Sequence, residues 1–205
     1  VFAFSLIDPL ADKILSSPNK VLPVIHSLLE NNPKIQTLFV KTGHLGKLLP
    51  SIQNGDVNSI DLLTLIFKSS EAGSFRPFLS ETNLMNSILE QALSTTPNEK
   101  RRDFLYLLGY IIKGDEALCS LLSNDQIERL LTISISSNNS SDIDAGLFCL
   151  ECFTVKLSSK LAETICIQMS TKMCGILTNY QTEQLPTSSL LSIASSCLIS
   201  NHDTV

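Results

Sequence analysis

Residues 56–68 read Asp56-Val57-Asn58-Ser59-Ile60-Asp61-Leu62-Leu63-Thr64-Leu65-Ile66-Phe67-Lys68. Apolar side chains recur here at three- and four-residue spacing, the period of a helix with one buried face. Asp56 stands where an N-cap belongs, because its carboxylate can accept from the first free backbone N–H groups. The same pattern returns along the chain. Leu63 and Ile66 are matched 42 residues later by Leu105 and Leu108, and 42 residues after that by Leu147 and Leu150. Forty-two residues earlier stand Val21 and Val24. A second helix set repeats through Leu49, Leu89 and Leu131.

A helical period near 40–47 residues is the signature of armadillo and HEAT repeats. Each repeat leaves one face bare, so neighbours must stack to bury a common core. The expected fold is therefore all-α: an armadillo/HEAT-like right-handed superhelical solenoid of about four to five repeats, forming one domain over 1–205. The competing reading is an irregular helical bundle whose register matches by coincidence. Each unit should hold a short first helix and two longer ones. Unit two would be Pro33–Thr42, Leu45–Asn54 and Asp56–Ser70. Third helices fall near 18–31, 56–70, 98–113, 142–156 and 186–200. The last of these, Pro186–Ser200, slips in register as a capping unit does. Ser80 is the expected cap for a helix over Glu81–Leu93, and Pro97 opens one over Asn98–Lys113. Gly114 and Gly175 mark helix stops. Leu131–Ser137 is ambiguous, because Thr132, Ile133 and Ile135 are β-branched.

Composition removes several function classes. Hydrophobic residues make up 43% of the 205-residue chain, charged residues only 17%, and the net charge is −5. The one cationic cluster, Lys100-Arg101-Arg102, is flanked by Glu99 and Asp103. A nucleic-acid binder needs an extended basic face, and none is written here. No apolar run approaches the roughly 18 residues of a membrane span. The six cysteines, Cys119, Cys149, Cys152, Cys166, Cys174 and Cys197, lie in apolar stretches and read as reduced core thiols. That usage points to the cytoplasm, with the endoplasmic reticulum lumen as the alternative if a signal peptide was removed. The sequence begins at Val1, so a fragment of a longer chain is the expectation.

In an armadillo unit the third helix lines the concave side, and residues between its core positions face a partner. Around Leu63 and Ile66 these are Asp61, Thr64 and Lys68. One period later they are Asp103, Tyr106 and Tyr110, and then Ala145, Phe148 and Cys152. One period earlier they are Asn19, Leu22 and His26. Two of the three tyrosines thus share one helix face. Tyrosine suits recognition because it brings large area at low entropy cost. The bland alternative is that both tyrosines pack between repeats. Peptide-gripping armadillo proteins such as the importin-alpha class carry ladders of Trp and Asn at these positions. Here Leu22, Thr64, Tyr106 and Phe148 occupy one ladder, and His26, Lys68, Tyr110 and Cys152 the other, so that mode of peptide capture is disfavoured.

Catalytic and metal signatures are weak. Cys149 and Cys152 form a Cys-x-x-Cys in mid-helix without a second ligand pair, which favours a structural role. His26, His44 and His202 are scattered. Gly43-His44-Leu45-Gly46 lacks the Gly-Lys-Ser/Thr ending of a phosphate loop. Asn138 and Asn139 open overlapping Asn-x-Ser sequons, usable only in the secretory pathway. No enzyme, cofactor or metal site is expected.

The run Leu28-Leu29-Glu30-Asn31-Asn32-Pro33-Lys34-Ile35-Gln36, followed by Gly43-His44-Leu45-Gly46-Lys47-Leu48-Leu49, resembles a repeat junction of the armadillo-type nucleotide-exchange factors of seventy-kilodalton heat-shock chaperones. Glu71-Ala72-Gly73 before Phe78-Leu79, and Leu118-Cys119-Ser120 before Ile127-Glu128-Arg129-Leu130-Leu131, look like later junctions of the same class. The likeness spans about residues 10–155. The later junctions depart from it in lacking the usual glycine. The resemblance implies a co-chaperone whose concave face embraces one lobe of the chaperone's ATPase domain and promotes ADP release. The acidic balance suits a partner with basic surface. The alternative is an armadillo interaction scaffold within a larger cytoskeletal or trafficking protein.

Overall fold

The computed structural model describes residues 2–69, 72–81, 83–94, 100–113, 115, 118, 122–136 and 139–154. All regular structure among them is helical. Two compact units divide the chain, Val1–Ile111 and Ile112–Val205.

The first unit begins with α1 (Phe2–Ala11), α2 (Pro18–Leu29) and α3 (Pro33–Lys41). A 3₁₀ turn over His44–Leu48 then runs into α4 (Leu49–Gln53). There follow α5 (Val57–Lys68), α6 (Ala72–Phe75), α7 (Pro77–Glu81), α8 (Leu84–Ala92) and α9 (Arg101–Ile112). Unit two of the expected repeat is thus α3, the 3₁₀ turn with α4, and α5. The 3₁₀ turn replaces the first turn of the helix expected at Leu45. It follows Gly43, whose φ of 80° turns the chain in a way that side-chain-bearing residues resist.

Local chemistry fixes the helix ends. The Asp56 carboxylate accepts from the Ser59 N–H at 2.9 Å, as the N-cap reading requires. Asn31 takes a φ of 56° just past the end of α2, and the Gln36 side chain donates to the Leu29 carbonyl at 2.9 Å, satisfying an acceptor of the last turn. The expected start at Ser80 is corrected. Asn83 adopts a φ of 56°, which separates α7 from α8, and α8 begins at Leu84. Two side-chain contacts tie the start of the chain to the 3₁₀ turn. His44 Nε2 lies 2.7 Å from Asp8 Oδ1, and Lys47 Nζ lies 2.6 Å from Asp12 Oδ1. The hydrogen bond from Lys47 holds the Asp12 carboxyl below its ordinary value.

Among the expected second helices α4 and α8 touch, and among the expected third helices α2 and α5 touch. Leu63, Ile66, Leu105 and Leu108 are all fully buried. Val21 is covered as well, but Val24 is 47% exposed. The stripe of α2 is rotated onto Leu22, Ile25 and Leu29, each with no exposed surface. α2 has α1, α3 and α5 as neighbours, and the side that carries Val24 is left to solvent.

The second unit contains α10 (Asn124–Ser136) and α11 (Ser140–Thr154), which pack closely on each other. Leu131–Ser137, ambiguous in sequence, belongs to α10 up to Ser136, so burial of Ile127, Leu130, Leu131 and Ile133 outweighs the β-branching. Leu147 and Leu150 are buried, as their place in the register demands. Gly146 lets the two helices approach: a Cβ there would stand 2.5 Å from Ser134 Oγ and 3.0 Å from Ser134 Cα. Asn139 accepts from the Ser141 N–H at 3.0 Å at the start of α11. Cys149 and Cys152 are both buried. Pro97, Gly114, Asn138, Gly175, Cys119, Cys166, Cys174, Cys197 and the helix expected over Pro186–Ser200 lie outside the described residues.

Candidate functional site

The third helices α2, α5 and α9 of the first unit carry the expected partner-facing residues. On α5, Asp61 and Lys68 are exposed and Thr64 is half-buried. On α9, Asp103, Tyr106 and Tyr110 are half-buried. On α2, Asn19 is exposed and His26 half-buried, but Leu22 is wholly covered. In the second unit Phe148 is half-buried, whereas Ala145 is fully covered and Cys152 only 5% exposed. Cys152 and Ala145 point into the α11 packing, because that helix is apolar on more than one side: Leu147, Cys149 and Leu150 are buried around them.

Residues one period apart meet across the helices. Lys68 Nζ lies 5.8 Å from the centroid of the Tyr110 ring, within the range of a cation–π contact. Asp61 and Asp103 are close enough for their charges to repel, and His26 on α2 opposes that repulsion. Burial is the largest cause of a raised Asp61 pKa, the Asp103 carboxylate the next, and Asp56 adds a smaller push in the same direction. Asp103 in turn accepts from Arg102 Nε at 2.9 Å.

The Lys100-Arg101-Arg102 cluster is spent internally. Lys100 Nζ donates to the Gly55 carbonyl, Arg101 Nη2 donates to the Ser94 carbonyl at 2.7 Å, and Arg102 holds Asp103. Arg101 is only 7% exposed. At the other end of α9, Arg76 Nε donates to the Ile111 carbonyl at 2.7 Å, satisfying a last-turn acceptor with a cation. The contacts of Lys100 with Gly55 and of Arg76 with Ile111 tie α9 to earlier parts of the unit.

Between α2 and α5 opens a cleft of about 270 Å³, lined by Leu22, Pro23, His26, Ser27, Asn58 and Asp61. Of these residues the 42-residue register singles out Leu22, His26 and Asp61, but not Pro23, Ser27 and Asn58. Helical spacing contains the signal for Asn58, which lies three residues before Asp61 on the same face of α5. Ser27 follows His26 directly, and its hydroxyl donates to the Pro23 carbonyl at 3.0 Å. Among the described residues no group of three His, Cys, Asp or Glu side chains could hold a metal ion. None of their helices is long and apolar enough to cross a membrane. The third helices of this unit present a mixed polar and aromatic face, with an indentation between α2 and α5.

No family model matches the chain, and neither the curated proteins nor the solved structures contain a significant match to it.

Proposed function

We propose that the helices of this chain are armadillo-type repeats and that it acts as a co-chaperone, a nucleotide-exchange factor for seventy-kilodalton heat-shock chaperones. The observation that carries the repeat reading is the meeting of register equivalents: Lys68 touches the Tyr110 ring, and Asp61 feels Asp103. Adjacent third helices α2 and α5 support it further. The junction from Leu28 to Leu49, with its turn at Asn31 and its left-handed Gly43, supports the family reading.

In this reading the face of α5 and α9 binds one lobe of the chaperone's ATPase domain. Exchange follows from differential affinity. A protein that binds the opened nucleotide cleft more tightly than the closed one shifts the population toward the open form, and ADP leaves faster. By linkage, ADP must weaken binding of the factor by the same ratio. Titration calorimetry with the isolated ATPase domain tests this. The chain should bind the nucleotide-free domain more tightly than the ADP-bound domain. Equal affinity for the two forms rejects the exchange reading, and no binding to either rejects the partner.

A further inference from the structure

The cleft between α2 and α5 has a shape and chemistry that name part of what it receives. Its volume of about 270 Å³ lies below the roughly 300–1,000 Å³ of pockets that enclose drug-sized ligands. One long side chain fills such a space, and a nucleotide does not. The α2 wall is partly apolar, with Leu22 fully buried behind it and Pro23 beside it. The polar lining is Asp61, Asn58, His26 and Ser27. Among the described residues Asp61, Asn58 and His26 make no side-chain hydrogen bond, so their polar groups remain open to an incoming ligand.

The charge of the lining selects the sign of that ligand. Asp61 sits with Asp103 on one side and Asp56 at the start of its own helix, and His26 is the group that offsets them. Arg102 is committed to Asp103 and Lys68 lies over the Tyr110 ring, so neither cation is spent on Asp61. A carboxylate beside another carboxylate gains from a cation brought by a partner. Among cations, a guanidinium matches this lining best. Its planar fork gives two donors to one carboxylate and leaves others for an amide or hydroxyl oxygen, and its face stacks on an aromatic ring. Its methylene stem suits an apolar wall.

We infer that the α2–α5 cleft receives an arginine side chain of the protein partner, with the guanidinium held by Asp61 beside His26 and Asn58. This rests on the reading of the surface as a protein-docking face and adds the chemistry of one anchor. It requires no change in the partner's identity.

The test uses the whole chain and a small probe. Millimolar N-acetyl-arginine-N-methylamide is titrated while backbone resonances are followed by NMR, in parallel with the citrulline analogue, which has the same shape without the charge. Saturable shifts confined to residues 22–27 and 58–61 are expected with the arginine probe. Binding should weaken at least about tenfold with the citrulline probe and in Asp61→Asn, whose melting transition is checked to be intact. Shifts that do not saturate, or that are the same for both probes, overturn the inference. The chaperone ATPase domain is then titrated against both forms. Affinity unchanged in Asp61→Asn overturns the cleft as an anchor while leaving the exchange reading intact. A saturating arginine probe with no chaperone binding keeps the cleft and rejects that reading.

Discussion

Lys68 and Tyr110 are 42 residues apart in the chain, and the ammonium of one lies 5.8 Å from the ring centroid of the other. In the proposed repeat the two residues hold the same place in successive third helices, so this contact is the one that in-register stacking of α5 and α9 would make. A double-mutant cycle with Lys68→Ala and Tyr110→Ala, read by denaturant unfolding, should return a coupling of about 0.5–1 kcal/mol, the scale of an exposed cation–π pair. Strict additivity of the two substitutions contradicts the contact.

The paired tyrosines should matter to binding more than to folding. Tyr106 and Tyr110 are both half-buried on α9, so part of each ring is open to a partner. Replacing both with Ala should weaken binding to the chaperone ATPase domain by about 1–3 kcal/mol, the range of hot-spot side chains. The thermal transition should stay close to that of the parent. Unchanged affinity, or a collapsed transition, assigns the two rings to packing between repeats instead.

Gly146 should be intolerant of the smallest side chain. Its added Cβ would stand 3.0 Å from the Ser134 backbone as well as 2.5 Å from the Ser134 hydroxyl, so removing the hydroxyl does not make room. Gly146→Ala should cost about 1–3 kcal/mol, as overpacking of a close helix contact does. Ser134→Ala in the same background should fail to restore the loss. A neutral or stabilising Gly146→Ala, visible as an unchanged or raised denaturant midpoint, contradicts the close approach of α10 and α11.

Asp61 gives a pH signature with a definite sign. Burial and Asp103 raise its pKa in the folded chain above the ordinary 3.8, so the folded state holds this proton more tightly than the unfolded state. Asp61 therefore opposes folding increasingly as pH rises from about 4 through its raised pKa, and the opposition is full above it. Asp61→Asn should be more stable than the parent near neutral pH, and the difference should vanish below the ordinary carboxylate range. Asp12 has the opposite sign. Lys47 lowers its pKa, so its contribution is present above 3.8 and fades as pH falls through the lowered value. Unfolding midpoints of Asp61→Asn and the parent that run parallel from pH 3 to pH 7 would exclude the Asp61 effect.

The sequence was informative where a rule of spacing operates and silent where turns decide. Leu63, Ile66, Leu105 and Leu108 are buried because an amphipathic helix must hide its stripe, and periodicity reads that directly. Asp56 capped its helix as expected, since an N-cap acts within three residues. The start of α8 was missed because Asn83 adopts a left-handed conformation, a choice that asparagine tolerates but does not announce. Val24 was missed because its burial depends on which neighbours flank α2, a tertiary fact. The site followed the same division. Asp61, Lys68 and Tyr110 came from register alone. The cleft, by contrast, depends on how α2 and α5 lie against each other, and the covering of Leu22 and Cys152 on how their helices are rotated.

In the proposed function this chain opens the nucleotide cleft of a seventy-kilodalton heat-shock chaperone. Stopped-flow release of a fluorescent ADP analogue from that chaperone's ATPase domain, at saturating chain, measures it directly. The account predicts faster release with the parent chain and release near the unassisted rate with the Tyr106→Ala, Tyr110→Ala double variant. Release by the parent chain at the unassisted rate contradicts it.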